Sequence, residues 1–290
     1  EIKIWDSTAT DPNAGTTQKI ETVSTDIKSD GSGNSILTKH IKVAFFSGVT
    51  YPVYTDTITA FYPDPHTEST SVDGVSFTYN QGSDWNTEHD RTSGNFASDD
   101  ATTLNIGYLR KNIGGSNNIG LYRWFMLFDT SGLPDADPIS SATLSFYGIS
   151  IATNTVGGDS EVSVQTCSVV QSSPASNTAI GTGDFNQCGS VDDPDEGIAT
   201  GDRFDPYSDW STSQYNDIDL NSTGMGWIAK DGITKLGVRN MPDITDDDIG
   251  SAKYNNYMNV GSADQSGTSK DPKLTVTHGV SFTPKAITMF

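Results

Sequence analysis

The residues that could do chemistry in this chain are few and scattered. Its four histidines, His40, His66, His89 and His278, lie far apart, and none stands in a His-Glu-x-x-His pair. A nucleophile elbow of the form Gly-x-Ser-x-Gly is absent, and so is a phosphate-cradling Gly-x-x-x-x-Gly-Lys-Ser/Thr loop. A Ser-His-Asp relay would have to be assembled in space. With so many Ser and Asp residues, any combination chosen from sequence is coincidence by default. A carboxylate pair for glycoside hydrolysis is equally indistinguishable among 37 acidic residues. The expectation is a protein that is not an enzyme.

Binding chemistry offers more candidates. Two acidic clusters could gather oxygen ligands for a structural Ca²⁺: Asp192, Asp193, Asp195 and Glu196, and Asp243, Asp246, Asp247 and Asp248. A hard cation needs about six to eight oxygens, and clustered carboxylates ease their assembly. Neither cluster has EF-hand spacing, so solvated loop acids are the competing reading. Sugar binding needs exposed aromatic faces beside polar groups. Trp85, Tyr207, Trp210 and Tyr257 lie in such segments; the alternative is that they roof the core or fill an interface. Asn221-Ser222-Thr223 is an N-glycosylation sequon, but it coincides with an expected helix cap.

Cys167 and Cys188 are the only cysteines. In an acidic, β-rich chain such a pair reads as a disulfide, and closing a loop of about 20 residues would stabilise by roughly 3 kcal/mol. Two buried thiols are the other reading. The formal net charge of −20 disfavours nucleic acid as a partner and opposes an anionic membrane surface. Only 19% of residues are charged, so this is not a charge-driven disordered chain. No apolar run has the length of a membrane span, so membrane insertion is not expected. The chain begins at Glu1 rather than Met, as expected of a removed leader or a longer precursor.

The elements that must position these residues read as strands. Residues 121 to 128, LYRWFMLF, are nearly continuous in apolar character, as for a strand buried on both faces. Residues 142 to 151 alternate instead, with Leu144 and Phe146 on one face and Thr143, Ser145 and Tyr147 on the other. Between them lies turn chemistry, Asp129-Thr-Ser-Gly-Leu-Pro134, in which Pro134 ends strand pairing. Further strands are expected at 57–62, 74–79, 103–110, 161–170, 217–220, 235–238, 254–260 and 273–277. One helix is expected after residue 221, capped by Ser222 or Thr223, with a further helical turn near 183–188.

The run Arg123 to Pro134 followed by Ile139-Ser-Ser-Ala-Thr-Leu144 resembles the hallmark of DNRLRE-type jelly-roll domains, which are similar to carbohydrate-binding modules. The resemblance covers roughly residues 57 to 277. It implies an all-β, antiparallel jelly-roll sandwich with one or two short helices, in secreted surface proteins, carbohydrate-active enzymes or virion-like structural proteins.

Residues 1–56 lie outside that resemblance and form an N-terminal extension carrying alternating Ile2 and Ile4 and the strand-like set Ile41, Val43 and Phe45. Residues 57–278 are the expected jelly-roll domain. Residues 279–290 form a strand-like tail with Phe282, Ile287 and Phe290. Such termini are suited to adding a strand to a neighbouring copy, and a head-to-tail version grows into a filament. The expected protein is a structural subunit of an extracellular fibre or surface assembly, with copies of itself as partner. A carbohydrate-binding module with glycans as partner is one alternative, and a phage or virion fibre or decoration protein is another.

Overall fold

The computed structural model describes residues 2–6, 20–29, 35–40, 53–111, 118–153, 166–248 and 256–282. In chain order the strands are β1 (Ile2–Asp6), β2 (Ile20–Ser29), β3 (Ser35–His40), β4 (Val53–Phe61), β5 (Asp73–Phe77), β6 (Asn80–Gln81), β7 (Phe96–Ser98), β8 (Thr103–Ile106) and β9 (Arg110–Lys111). They continue as β10 (Asn118–Gly120), β11 (Tyr122–Asp129), β12 (Ile139–Thr153), β13 (Cys167–Gln171), β14 (Tyr215–Asp219), β15 (Ile233–Asn240), β16 (Asn256–Gly261) and β17 (Lys273–Phe282). The described helices are short: α1 (Trp85–His89), α2 (Ser222–Gly226) and α3 (Met241–Ile244), with 3₁₀ turns at Thr182–Gln187 and Thr200–Asp202. None is long and apolar enough to cross a membrane.

The chain divides into two compact units. The first comprises Glu1–Thr59, Pro134–Ala142 and Val276–Phe290. Its strands lie in the order β3-β2-β1-β4-β17-β12. β1 is antiparallel to β2 on one side (Ile4↔Glu21) and to β4 on the other (Ile4↔Thr55, Trp5↔Tyr54, Asp6↔Val53). β4 starts directly after Pro52, which lacks the N–H a ladder needs. β3 ends at His40. The candidates Ile41, Val43, Phe45, Ile287 and Phe290 lie outside the described residues.

The second unit, Ala60–Leu133 and Thr143–Thr275, is mostly β, with two antiparallel sheets packed in a sandwich-like pair. One sheet runs β13-β15-β11-β5-β7; in the other, β12 pairs with β14 and β16, and β16 with β8. β11 is buried on both faces, as its composition implies. Phe125 and Leu127 pack with Val72, Val170, Ile180, Cys188, Met241 and Ile244, and the alternate residues Trp124, Met126 and Phe128 are also fully buried. In β12, Leu144 and Phe146 are buried as expected, and so is Ser145. β8 stops at Ile106, short of the expected end, because Gly107 takes a left-handed φ of 86° and breaks the ladder.

The sequence places the helix cap one residue late. Asn221, not Ser222 or Thr223, caps α2, its side chain accepting from Gly224 N at 2.9 Å. The expected disulfide is also corrected, since Cys167 and Cys188 are both free and buried. β13 pairs Cys167 with Asn240. Cys188 instead lies against Gly237, where an added Cβ would fall 2.4 Å from its sulfur. Gly237 and Asn240 are three residues apart on β15, so they face opposite sides of the sheet about 10 Å apart, beyond the ~7 Å Cα reach of a disulfide. Burial pushes the Cys188 thiol up to about 12 and raises Cys167 well above its usual value, which makes both inert.

Candidate functional site

The most organised polar structure in the second unit is built around Asp243. The alternation of β11 that buries Phe125 and Leu127 also turns Arg123 to their face, with its side chain 1% exposed. β15 supplies Arg239, four residues before Asp243. Pro242 in the first turn of α3 presets the helical φ that brings Asp243 back over β15. Arg123 donates Nε to Oδ2 (2.9 Å) and Nη2 to Oδ1 (2.7 Å), while Arg239 donates Nε to Oδ2 (2.7 Å). The remaining guanidinium hydrogens reach carbonyls: Arg123 to Phe185 and His89, and Arg239 to Ser190 and Val191. Burial alone would raise the Asp243 carboxyl, but the two guanidinium charges outweigh it and hold the group well below the usual carboxylate range. The Arg123 guanidinium also lies 4.1 Å from the centre of the Phe185 ring.

His89 stands directly above this cluster. Helix α1 forms because Asp84 caps it, accepting from Thr87 N at 2.8 Å. Glu88 is locked by Asn80 Nδ2 (2.6 Å) and Ser83 Oγ (2.7 Å). The next residue, His89, is fully buried. Its Nε2 lies 2.9 Å from the Asp243 carbonyl oxygen. Its Nδ1 faces Asp90 Oδ1 at 2.9 Å, Asp246 Oδ1 at 3.4 Å and Asp192 Oδ1 at 3.8 Å. Trp85 Nε1 donates to Asp246 Oδ1 at 2.8 Å.

Each acidic cluster marked in the sequence therefore sends one residue here, Asp192 and Asp246. Asp243 is held by arginines instead, Asp193, Asp195, Asp247 and Asp248 are exposed, and Glu196 pairs with Arg203 Nε at 2.8 Å. His89 escaped sequence reasoning, because its partner Asp243 is 154 positions away.

The aromatic candidates do not converge. Trp85 and Trp210 are buried; Trp210 stacks on Phe204 and Phe146 at 4.9 and 5.6 Å between ring centres. Tyr207 and Tyr257 are half-buried, and Tyr257 tilts against Tyr108 at 4.7 Å. Asn221 uses both ends of its amide, the oxygen as the α2 cap and the nitrogen toward Glu196 O at 3.1 Å. The sequence did not mark a polar groove of about 560 Å³. Gln171, Asn186, Gln187, Ser190 and Asp195 line it beside the indole of Trp227.

In the first unit, His278 lies between Asp137 and Thr59. Its Nδ1 is 2.8 Å from Asp137 Oδ2 and its Nε2 is 3.0 Å from Thr59 Oγ1. The order is that of orienting acid, base and hydroxyl. Thr59, however, is a strand-bound secondary alcohol, without the terminal amine that activates catalytic threonines. The arrangement joins side chains of β4 and β17 to the segment before β12.

Two further carboxyls of the second unit are buried with no cation paired to them among the described residues. Asp73 accepts from Ala263 N at 3.2 Å, and its other oxygen has no hydrogen-bond partner among the described residues. Burial pushes Asp73 up to about 8, and burial and Asp264 push Asp271 up to about 7. No protein-family model and no curated protein sequence matches the chain.

Two outcomes follow from these charges. Asp243→Asn leaves two buried guanidinium groups without a balancing charge and is expected to cost about 3–5 kcal/mol in denaturant unfolding. Asp73 and Asp271 bind protons when folded that they release when unfolded. Their contribution is complete below about pH 4 and is lost as pH rises toward 8. Stability should therefore fall between pH 4 and 8, by up to about 1.4 kcal/mol per pH unit for each group. Thermal midpoints across that range check this, and Asp73→Asn should flatten the profile.

Proposed function

We propose that this chain is a non-enzymatic structural subunit of an extracellular fibre or surface assembly, a jelly-roll protein that polymerises by exchanging terminal strands. One observation carries the reading. β1 is attached to β4 by a main-chain ladder, Ile4↔Thr55, Trp5↔Tyr54 and Asp6↔Val53. A ladder of backbone hydrogen bonds is indifferent to which copy supplies the strand, so a strand that closes its own sheet can close a neighbour's. Repeated head to tail, the exchange leaves one open edge at each end and grows a filament. Strand β3, which among the described residues pairs only with β2, gives the same ladder a second place to grow.

A second reading, a carbohydrate-binding module, draws on the groove at Trp227. Planar amides from Gln171, Asn186 and Gln187 beside an indole are the donors, acceptors and stacking face that a sugar ring needs.

Electron microscopy and sedimentation of the purified chain test the first reading. The full chain should form filaments, and a chain lacking residues 1–56 should remain monodisperse; filaments from the truncated chain would contradict strand donation from the N-terminus. The second reading expects a monodisperse chain to be retained on a glycan array, with retention lost in Trp227→Ala; equal retention of the variant would exclude the groove.

A further inference from the structure

We propose that His89, Asp192 and Asp246, with Asp90 beside them, form a binding site for one divalent transition-metal ion of the Zn²⁺ type. His89 Nε2 faces the carbonyl oxygen of Asp243, which can only accept, so the ring proton sits on Nε2. Nδ1 is the ring nitrogen left for another partner, and it lies at hydrogen-bond distance, 2.9 Å, from Asp90 Oδ1. It is fully buried and faces the carboxylate oxygens of Asp90, Asp192 and Asp246, none of which donates when ionised. A ring nitrogen enclosed by anionic oxygens is a position where a metal cation can take the place of the hydrogen that bridges them.

The spacing fits a small ion. Ligand atoms of His89, Asp192 and Asp246 all lie within 4.8 Å of one another. A tetrahedral ion with bonds of about 2.1 Å has ligands about 3.4 Å apart. Nδ1 lies 3.4 Å from Asp246 Oδ1 and 3.8 Å from Asp192 Oδ1. Asp90 Oδ1, 2.9 Å from Nδ1, is a hydrogen-bond partner of the ring and stands outside that set of three.

The ligand chemistry decides the ion. Imidazole with carboxylates suits Zn²⁺, whereas Ca²⁺ takes oxygen alone and more of it. The surrounding shell is that of a held metal ligand. The second ring nitrogen of His89 is anchored to the backbone, Trp85 orients Asp246, and the anchoring residue Asp243 is fixed by Arg123 and Arg239. The side chains of Asp90 and Asp192 are 62% and 65% exposed, so an ion can reach the site from solvent. Once bound, it would join α1, the loop at residue 192 and the end of α3, three segments distant in sequence.

The test uses the full chain stripped of metal with a chelator. Zn²⁺, Mn²⁺, Ca²⁺ and Mg²⁺ are added singly, and unfolding midpoints and bound metal per chain are measured. The expected result is one Zn²⁺ per chain and a midpoint raised by roughly 5 °C at a hundredfold excess over Kd, with little response to Ca²⁺ or Mg²⁺. The double variant Asp192→Asn with Asp246→Asn keeps an acceptor for Trp85 and should fold, yet lose both responses. Equal Zn²⁺ binding by the variant would show scattered surface acids as the ligands and overturn the proposal. So would a wild-type midpoint unmoved by every ion.

Discussion

Asp243 carries a full negative charge with its side chain 1% exposed, and a charge removed from water must be balanced where it lies. Arg123 and Arg239 balance it, and that requirement fixes much of the second unit. The two arginines come from adjacent strands, β11 and β15, and point to the same face. Their spare donors reach carbonyls at His89, Phe185, Ser190 and Val191. Backbone that would otherwise be a long irregular excursion is thereby tied to the sheet. Fully satisfied polar networks specify one arrangement because any displacement leaves a buried donor unpaired.

That arrangement decides what the nearby acids can do. The Asp243 carbonyl sets the orientation of the His89 ring, and the ring orientation turns Nδ1 toward Asp90, Asp192 and Asp246. A loop acid in water has no preferred geometry. Asp192 and Asp246 have one because a buried histidine and the Trp85 indole stand at fixed positions beside them. The residue that looked like a cation ligand by its place in an acidic run is held by arginines and supports the ring beside its acidic neighbours.

What was legible in the sequence was what local pattern encodes. The continuous apolar run of β11 and the alternation of β12 announced themselves because burial on two faces and on one face leave different periodicities. Density of charge was legible, but partnership was not. Asp243 and Asp246 look alike in sequence, and only the arginines brought up by β11 and β15 separate them. Trp85 stands among polar neighbours in sequence, and of the two readings open to it the core one holds: it packs with Leu109, Ile119, Leu121 and Phe185, all distant along the chain. The cysteines failed as a disulfide for a related reason. Spacing along the chain does not say which face of a sheet each residue occupies, and Cys167 and Cys188 occupy different ones.

The proposed role as a fibre subunit turns on whose β1 pairs with whose β4. The register opposes Ile4 and Thr55, so a chain carrying Ile4→Cys with Thr55→Cys can record the pairing covalently. Oxidising the assembled protein and separating it on a non-reducing denaturing gel gives the answer. Strand exchange predicts a ladder of covalent multimers that collapses to monomer on reduction; a cross-linked species that stays monomeric would contradict it.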